Sequence, residues 1–372
     1  MIAGTETLRY AIALSQMKGM NRPLAERLLA QAGSVETLFG EKPETWRAIL
    51  GITAPLFEAE ARQKALAAAD TEMAFIDKNG IAPLFFTDSD YPARLHECPD
   101  APMMLYFKGN CNLNAARIVS IVGTRRATRY GRDFCAALLR DLAESIPDLL
   151  IVSGMAYGVD ICAHREALKN HLPTVGVLAH GLHTLYPAVH RNTAQETLSN
   201  GGLLTEYTTG QPILKANFVT RNRIVAGMAD ATLVVESPAK GGSLITAHIA
   251  REYNRDVFAL PGNIGQESSE GCNRLIRDNI AALVTSADDL LEALCWEVRA
   301  RKPQAEQPSL FPDVTEQEAL LLRLLQEQGD MQVNRITVMA NLPANEVLST
   351  LLELEFKGLV RSLPGGIFRA AR

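Results

Sequence analysis

Between residues 117 and 261 the chain repeats a pattern that few folds accommodate, a short and almost purely apolar run followed by a longer amphipathic stretch. The runs are 117–123 (RIVSIVG), 149–154 (LLIVSG), 174–179 (TVGVLA), 231–236 (ATLVVE) and 256–261 (DVFALP), and residues 134–145 and 243–253 carry helical patterns between them. Strands with no polar face must be covered on both sides, and helices between them make the strands parallel. The pattern predicts a Rossmann-like, doubly wound, mainly parallel α/β domain over residues 80–298. In such sheets ligands lie outside the carboxyl ends of the strands. The strand-to-helix turns are therefore where binding chemistry is expected.

The flanking regions read differently. In residues 1–79, Leu8, Ala11, Ile12 and Ala13 and then Leu24, Leu28 and Leu29 recur at helical spacing, with glycine turns at Gly19, Gly33 and Gly51. Helix, glycine turn, helix is the grammar of helix-hairpin-helix and SAM-like modules, but a small bundle that only packs or mediates contacts is the preferred reading. Residues 299–314 hold three prolines and mixed charge, which marks a linker. Residues 315–372 open on a capping box, Thr315 to Glu318, and show helical patterns over 320–325, 333–339 and 347–357. A hairpin turning at Pro364-Gly365-Gly366 completes an expected winged helix. Winged helices suggest duplex DNA, but residues 312–372 carry six Arg/Lys against eight Asp/Glu. The third helix offers Glu346, Glu353 and Glu355 against Lys357 alone, so protein contact is expected ahead of DNA reading.

The whole chain has 372 residues and a formal net charge of −5, so a DNA site must be a local basic patch on an acidic body. Its six cysteines include no CxxC pair, which argues against a zinc site and for reduced thiols in a cytoplasmic protein. The first residues have charges inside their apolar stretch and do not read as a signal peptide. No stretch approaches the roughly 20 apolar residues of a membrane span.

The first strand ends in Gly123-Thr124-Arg125-Arg126, and residues 117–132 hold five arginines and no acid. Gly123 lets the backbone approach a ligand. The following helix offers N–H groups to an anion, and Arg125 adds a bidentate phosphate contact. Neither G-x-G-x-x-G nor a P-loop is present, so no nucleotide cofactor is expected. At the second strand end, Ser153 is placed to donate to phosphate, and Asp160 and His164 lie one helical turn apart. They read either as a base with its orienter or as groups that cap the helix and fix the loop. The second reading is preferred, since no Ser or Cys nucleophile motif accompanies them. No catalytic residue and no metal is expected.

The segment 215–227 (KANFVTRNRIVAG) sets Lys215, Arg221 and Arg223 around Phe218, just before an apolar helix. Single-stranded nucleic acid calls for this mixture, cations for the backbone and an aromatic face for a base. Phe218 reads equally as core. Of Arg221 and Arg223, one is expected on phosphate and the other bracing the fold, with Asn222 between them counted in the site. A second phosphate cradle is expected at Lys240-Gly241-Gly242-Ser243, with Ser243 as helix N-cap. A row of such turns suits a polyanion better than a small molecule.

At these residues the chain resembles the DNA-processing protein A (DprA/Smf) family. The likeness runs from Ile118 to Leu294 through IVGTR, VSGMAYGVDICAH, TVGVLAHGLHTLYP, LLTEY, FVTRNRIVAGMAD, GGSLITA, VFALPGN and GCNRLI. It implies a non-catalytic protein that binds and protects incoming single-stranded DNA, helps load RecA recombinase in natural transformation, and forms a homodimer through the Rossmann-like domain. Family DNA binding by the Arg of the GTR turn and by a Lys and Phe ahead of RNR falls here on Arg125, Lys215 and Phe218. The chain departs from the family pattern at 179–183, 209–212 and 278–281. A nucleotide hydrolase of the lysine-decarboxylase-like group is the alternative, but the stretch at Gly241-Gly242-Ser243 lacks the Thr and Glu of PGGxGTxxE.

Overall fold

Short caps start and stop the first helices. In the computed structural model, which describes residues 4–50, 58–297 and 314–371, α1 (Thr5–Gln16), α2 (Arg22–Ala32), α3 (Val35–Gly40), α4 (Pro43–Leu50) and α5 (Ala59–Asn79) follow in order. Asn21 caps α2 by accepting the Leu24 N–H at 3.0 Å, and Ser34 caps α3 through the Thr37 N–H at 3.2 Å. The glycine turns at 19 and 33 thus separate true helices, while the turn at Gly51 lies outside the described residues. These helices do not keep a core to themselves. Ile12, Leu28 and Trp46 belong to one buried cluster with Leu84, Phe85 and Leu105 of the sheet. The Glu72 carboxylate on α5 accepts the Thr209 N–H at 2.9 Å and its hydroxyl at 2.6 Å. The chain divides by contacts into Met1–Arg301 and Lys302–Arg372. A short helical bundle buries too little apolar surface alone, and here the sheet edge supplies the rest.

The α/β region runs β1 (Ala82–Phe85), α6 (Ala93–His96), β2 (Met104–Gly109), β3 (Ile118–Val122), α7 (Arg129–Ser145), β4 (Leu150–Gly154), α8 (Val159–Lys169), β5 (Thr174–Val177), α9 (Arg191–Thr197) and β6 (Gly201–Thr205). It continues with α10 (Lys215–Gly227), β7 (Ala231–Val234), α11 (Gly242–Glu252), β8 (Asp256–Ala259), α12 (Glu270–Arg277), β9 (Ala282–Leu283) and α13 (Ala287–Ala293). One nine-stranded sheet results, in the order β1-β2-β6-β5-β4-β3-β7-β8-β9. Strands β6 to β9 along that order are parallel, and β2 and β1 add antiparallel edges. This is the doubly wound, mainly parallel sheet that the apolar runs predict.

Alternation along the strands sorts the core. Ile118 and Val122 of β3 pack with Ile224, Val225 and Leu244 of α10 and α11. Val119 and Ile121 pack with Leu138, Leu142 and Ala163 of α7 and α8 on the other face. From β3 the chain winds one way through β4, β5 and β6, then returns by α10 to β7 on the far side of β3. The carboxyl ends of β3 and β7 therefore flank the switch point where such sheets open a crevice.

The second unit has its own core. Helices α14 (Glu316–Gln328), α15 (Val333–Ala340) and α16 (Ala344–Phe356) pack with a sheet ordered β10 (Met331–Gln332), β12 (Ile367–Ala370), β11 (Val360–Leu363). Thr315 and Glu318 form the expected capping box. Three helices followed by a hairpin make a winged helix. Of the expected linker 299–314, residues 299–313 lie outside the described residues. Among those residues no helix is long and apolar enough to cross a membrane, and all six cysteines are free.

Candidate nucleic-acid interface

The turn after β3 is held on both sides by neighbouring strand ends. Thr124 N–H donates to the Glu236 carbonyl after β7 at 2.7 Å, and the Thr124 carbonyl accepts the Val159 N–H of α8 at 3.1 Å. Gly158, at φ 80°, makes this crossing possible, because a Cβ there would lie 2.7 Å from the Arg125 Cα. With its backbone fixed on both sides, Arg125 points outward and is exposed. Its Cζ lies 5.8 Å from the ring centroid of Phe218 on α10. Lys215, the exposed first residue of α10, is one helical turn from Phe218. Asn222 lies a turn further on, half-buried.

Two tyrosines complete an aromatic group that sequence reasoning missed. Tyr186, after β5, meets Phe218 edge-on at 5.8 Å and 71°, and Tyr157, after β4, meets His190 at 5.0 Å and 70°. Both remain open to solvent, at 52% and 47% exposure. Arg125, Tyr157, Tyr186 and Phe218 line one pocket with Val177 and Leu178 at the carboxyl end of β5. Tyr186 is positioned by a buried histidine. Burial lowers the pKa of His180, and the neutral ring donates from Nδ1 to the Gly181 carbonyl at 3.0 Å and accepts the Tyr186 N–H on Nε2 at 3.1 Å. Their signal in the sequence is their place, since both stand in strand-end turns, where ligands of such sheets lie.

The model of DNA recombination-mediator protein A matches residues 82–295, more than half of the chain. The chain belongs to that family. A DprA winged-helix model matches residues 301–366. Protein Smf of Escherichia coli is 36% identical over 289 residues, covering 76% of this chain and 75% of that protein. The structure of DNA processing protein A from Streptococcus pneumoniae matches with a TM-score of 0.64 at 32% identity, over 78% of this chain and 98% of that one. DNA processing protein A from Helicobacter pylori, described for its single-stranded DNA binding mode, matches with a TM-score of 0.53 at 30% identity, over 59% and 97%.

In this family member several residues singled out by sequence do other work. Ser153 is fully buried and its hydroxyl donates to the Ile121 carbonyl at 2.6 Å, so it does not face phosphate. Arg221 is buried, donates to the Val177 carbonyl and faces Asp160 electrostatically. Arg223 donates to Glu206 at 2.5 Å and lies 3.8 Å from Asp100. Both arginines therefore brace the fold, and α10 turns them inward, although Arg221 also lines the pocket with Arg125 and Phe218. They also lie within the helix, not ahead of it. Ser243 is not the N-cap of α11; Gly241 is, and the buried Ser243 hydroxyl donates to Ser237 Oγ at 2.9 Å. Lys240 on that turn and Gly242 at the start of α11 are exposed.

The anion seat at the start of α7 is filled from within. Glu236 is buried, and its carboxylate accepts the Thr128 N–H at 2.7 Å and the Thr128 hydroxyl at 2.6 Å. A carboxylate at a helix N-terminus satisfies the helix dipole as a phosphate would, which leaves Arg125 and Arg126 as exposed cations on the turn. Gly123 likewise serves packing, since a Cβ there would lie 2.5 Å from Val159 Cγ2. Asp160 and His164 fix the second turn. His164 bonds the Gly154 carbonyl at 2.6 Å and Thr174 Oγ1 at 2.7 Å, and burial pushes its pKa down to about 4, leaving it neutral. Asp160 accepts the Ala156 N–H at 3.4 Å; burial raises its pKa while Arg221 opposes the rise.

Proposed function

We propose that this chain captures single-stranded DNA, regardless of sequence, across the carboxyl rim of its sheet. The observation that carries this reading is the Arg125 guanidinium over the Phe218 ring, with Lys215 one turn away. A flexible strand presents phosphates to such cations and unpaired bases that stack on exposed rings. A duplex hides its base faces and gains nothing from Phe218, Tyr186 or Tyr157. Lys240, on the turn after β7, and Gly242, at the start of α11, extend the track. The family likeness and the single-stranded DNA binding of the Helicobacter protein support the same reading.

In this account the protein protects incoming single strands and helps load RecA recombinase during natural transformation, in the cytoplasm. It acts as a homodimer joined through the α/β domain, residues 80–298. Two rims on one dimer raise the effective concentration of each for the same strand. Its role is non-catalytic. A hydrolase would need a free acid or base, and Asp160 and His164 are instead buried against backbone and Arg221.

A gel shift with single-stranded and duplex DNA of equal length tests the proposal. Wild type retards the single strand at lower concentration, and Arg125→Ala and Lys215→Ala each weaken binding on any sequence. Each variant also reduces the salt slope by about 0.7 if it removes one phosphate contact. Equal affinity of wild type and both variants at low and high salt overturns it.

A further inference from the structure

The third helix of the winged helix is built for a different kind of contact. Val347, Thr350, Leu351 and Leu354 of α16 face the core. On another side Leu348, Leu352 and Phe356 stand 42%, 49% and 91% exposed, at positions i, i+4 and i+8. Residues four apart on a helix form a continuous ridge, the unit of helix-to-helix packing. Three large apolar side chains in such a ridge are not the scattered exposure that any surface shows.

Charge selects what covers this ridge. From Ala344 to Phe356 the helix holds Glu346, Glu353 and Glu355 and no Lys or Arg. Lys357, just beyond, is committed to Glu318 at 2.7 Å. Glu346 and Glu353 are exposed and make no ion pair among the described residues. A phosphate backbone would meet carboxylates and exposed leucines here. A second copy of the same helix would bring carboxylates against carboxylates. A helix with an apolar stripe flanked by Lys or Arg satisfies both features together.

We propose that α16 docks a basic amphipathic helix of a partner protein along Leu348, Leu352 and Phe356. The proposal is independent of the single-stranded DNA site, because none of its residues belongs to unit Met1–Arg301.

The test uses the full-length chain and two synthetic helical peptides with the same Leu/Phe stripe, one flanked by Lys and Arg, the other by Glu. Fluorescence anisotropy should show binding of the basic peptide only. Leu352→Ala and Phe356→Ala should each weaken it by about tenfold, as loss of a central apolar anchor does. The double variant Glu346→Lys/Glu353→Lys should shift preference toward the acidic peptide. These positions are exposed, and unchanged circular dichroism with unchanged single-stranded DNA affinity would verify that each variant is folded. Equal binding of both peptides, or equal affinity of wild type and variants, overturns the proposal. So does a wild-type dimer that sedimentation resolves into monomers in Phe356→Ala, which would assign the ridge to a second copy. Loss of duplex DNA binding in Phe356→Ala overturns it as well.

Discussion

Removing Phe218 tests whether a ring, and not charge alone, holds the strand. Base–aromatic stacking contributes about 1–3 kcal/mol per base, so Phe218→Ala should raise Kd for oligo-dT by about 5- to 160-fold. Phe218→Tyr, which keeps the ring, should stay within about twofold. Arg125→Ala should act mainly through salt, lowering the slope of log K against log salt by about 0.7. The two changes should not be independent. Cζ of Arg125 lies 5.8 Å from the Phe218 centroid, and the site is partly exposed. A cation–π contact there is worth about 0.5–1 kcal/mol. Each residue helps hold the other, so the double variant should bind about two- to fivefold better than the sum of the single losses implies. Anisotropy titrations of the four proteins at several salt concentrations give the full cycle. Unchanged affinity in Phe218→Ala refutes stacking, and strict additivity refutes the Arg125–Phe218 unit.

Other substitutions separate binding from support. Ser153→Ala should leave single-stranded DNA affinity within about twofold while lowering stability by about 1 kcal/mol in urea unfolding, because its hydroxyl is spent on the Ile121 carbonyl. A tenfold affinity loss would return Ser153 to the DNA site. Glu236→Gln removes the charge from the start of α7 and should cost about 1–2 kcal/mol, seen as a Tm lower by a few degrees; an unchanged Tm contradicts the assignment. His164 makes stability pH-dependent. Its folded pKa, about 4, lies below the ordinary 6.5, so the unfolded chain takes up the proton first and stability falls as pH drops from about 6.5 toward 4. About 2 kcal/mol should be lost between pH 7 and 5, and His164→Gln should flatten that part of the profile.

Much of the architecture was legible because it follows from periodicity. Runs such as 118–122 have no polar face, and the two cores on either side of β3 take its residues alternately. The winged helix was legible from its capping box, three helical patterns and a Pro-Gly-Gly turn. Side-chain direction within the turns was not. Ser153 lies in a strand-end motif, yet the pleat points it at the β3 backbone. Glu236 closes an apolar strand in the sequence, and only the adjacency of β3 and β7 brings its carboxylate to the start of α7. Arg221 and Arg223 share a motif with Lys215, but the helix carrying all three turns those two toward Val177 and Glu206. Tyr157 and Tyr186, in two strand-end turns, meet Phe218 of α10 only in the fold. The helices before residue 80 likewise gave no sign in sequence that their core continues into the sheet.

Photocrosslinking is the most direct test of where the strand lies. An oligo-dT carrying 4-thiothymidine, bound to wild-type protein and irradiated, should give adducts that map to Tyr186, Phe218 and Tyr157 and disappear with excess unlabelled single strand. Adducts confined to residues 315–372 or to the helices before residue 80 would contradict the account.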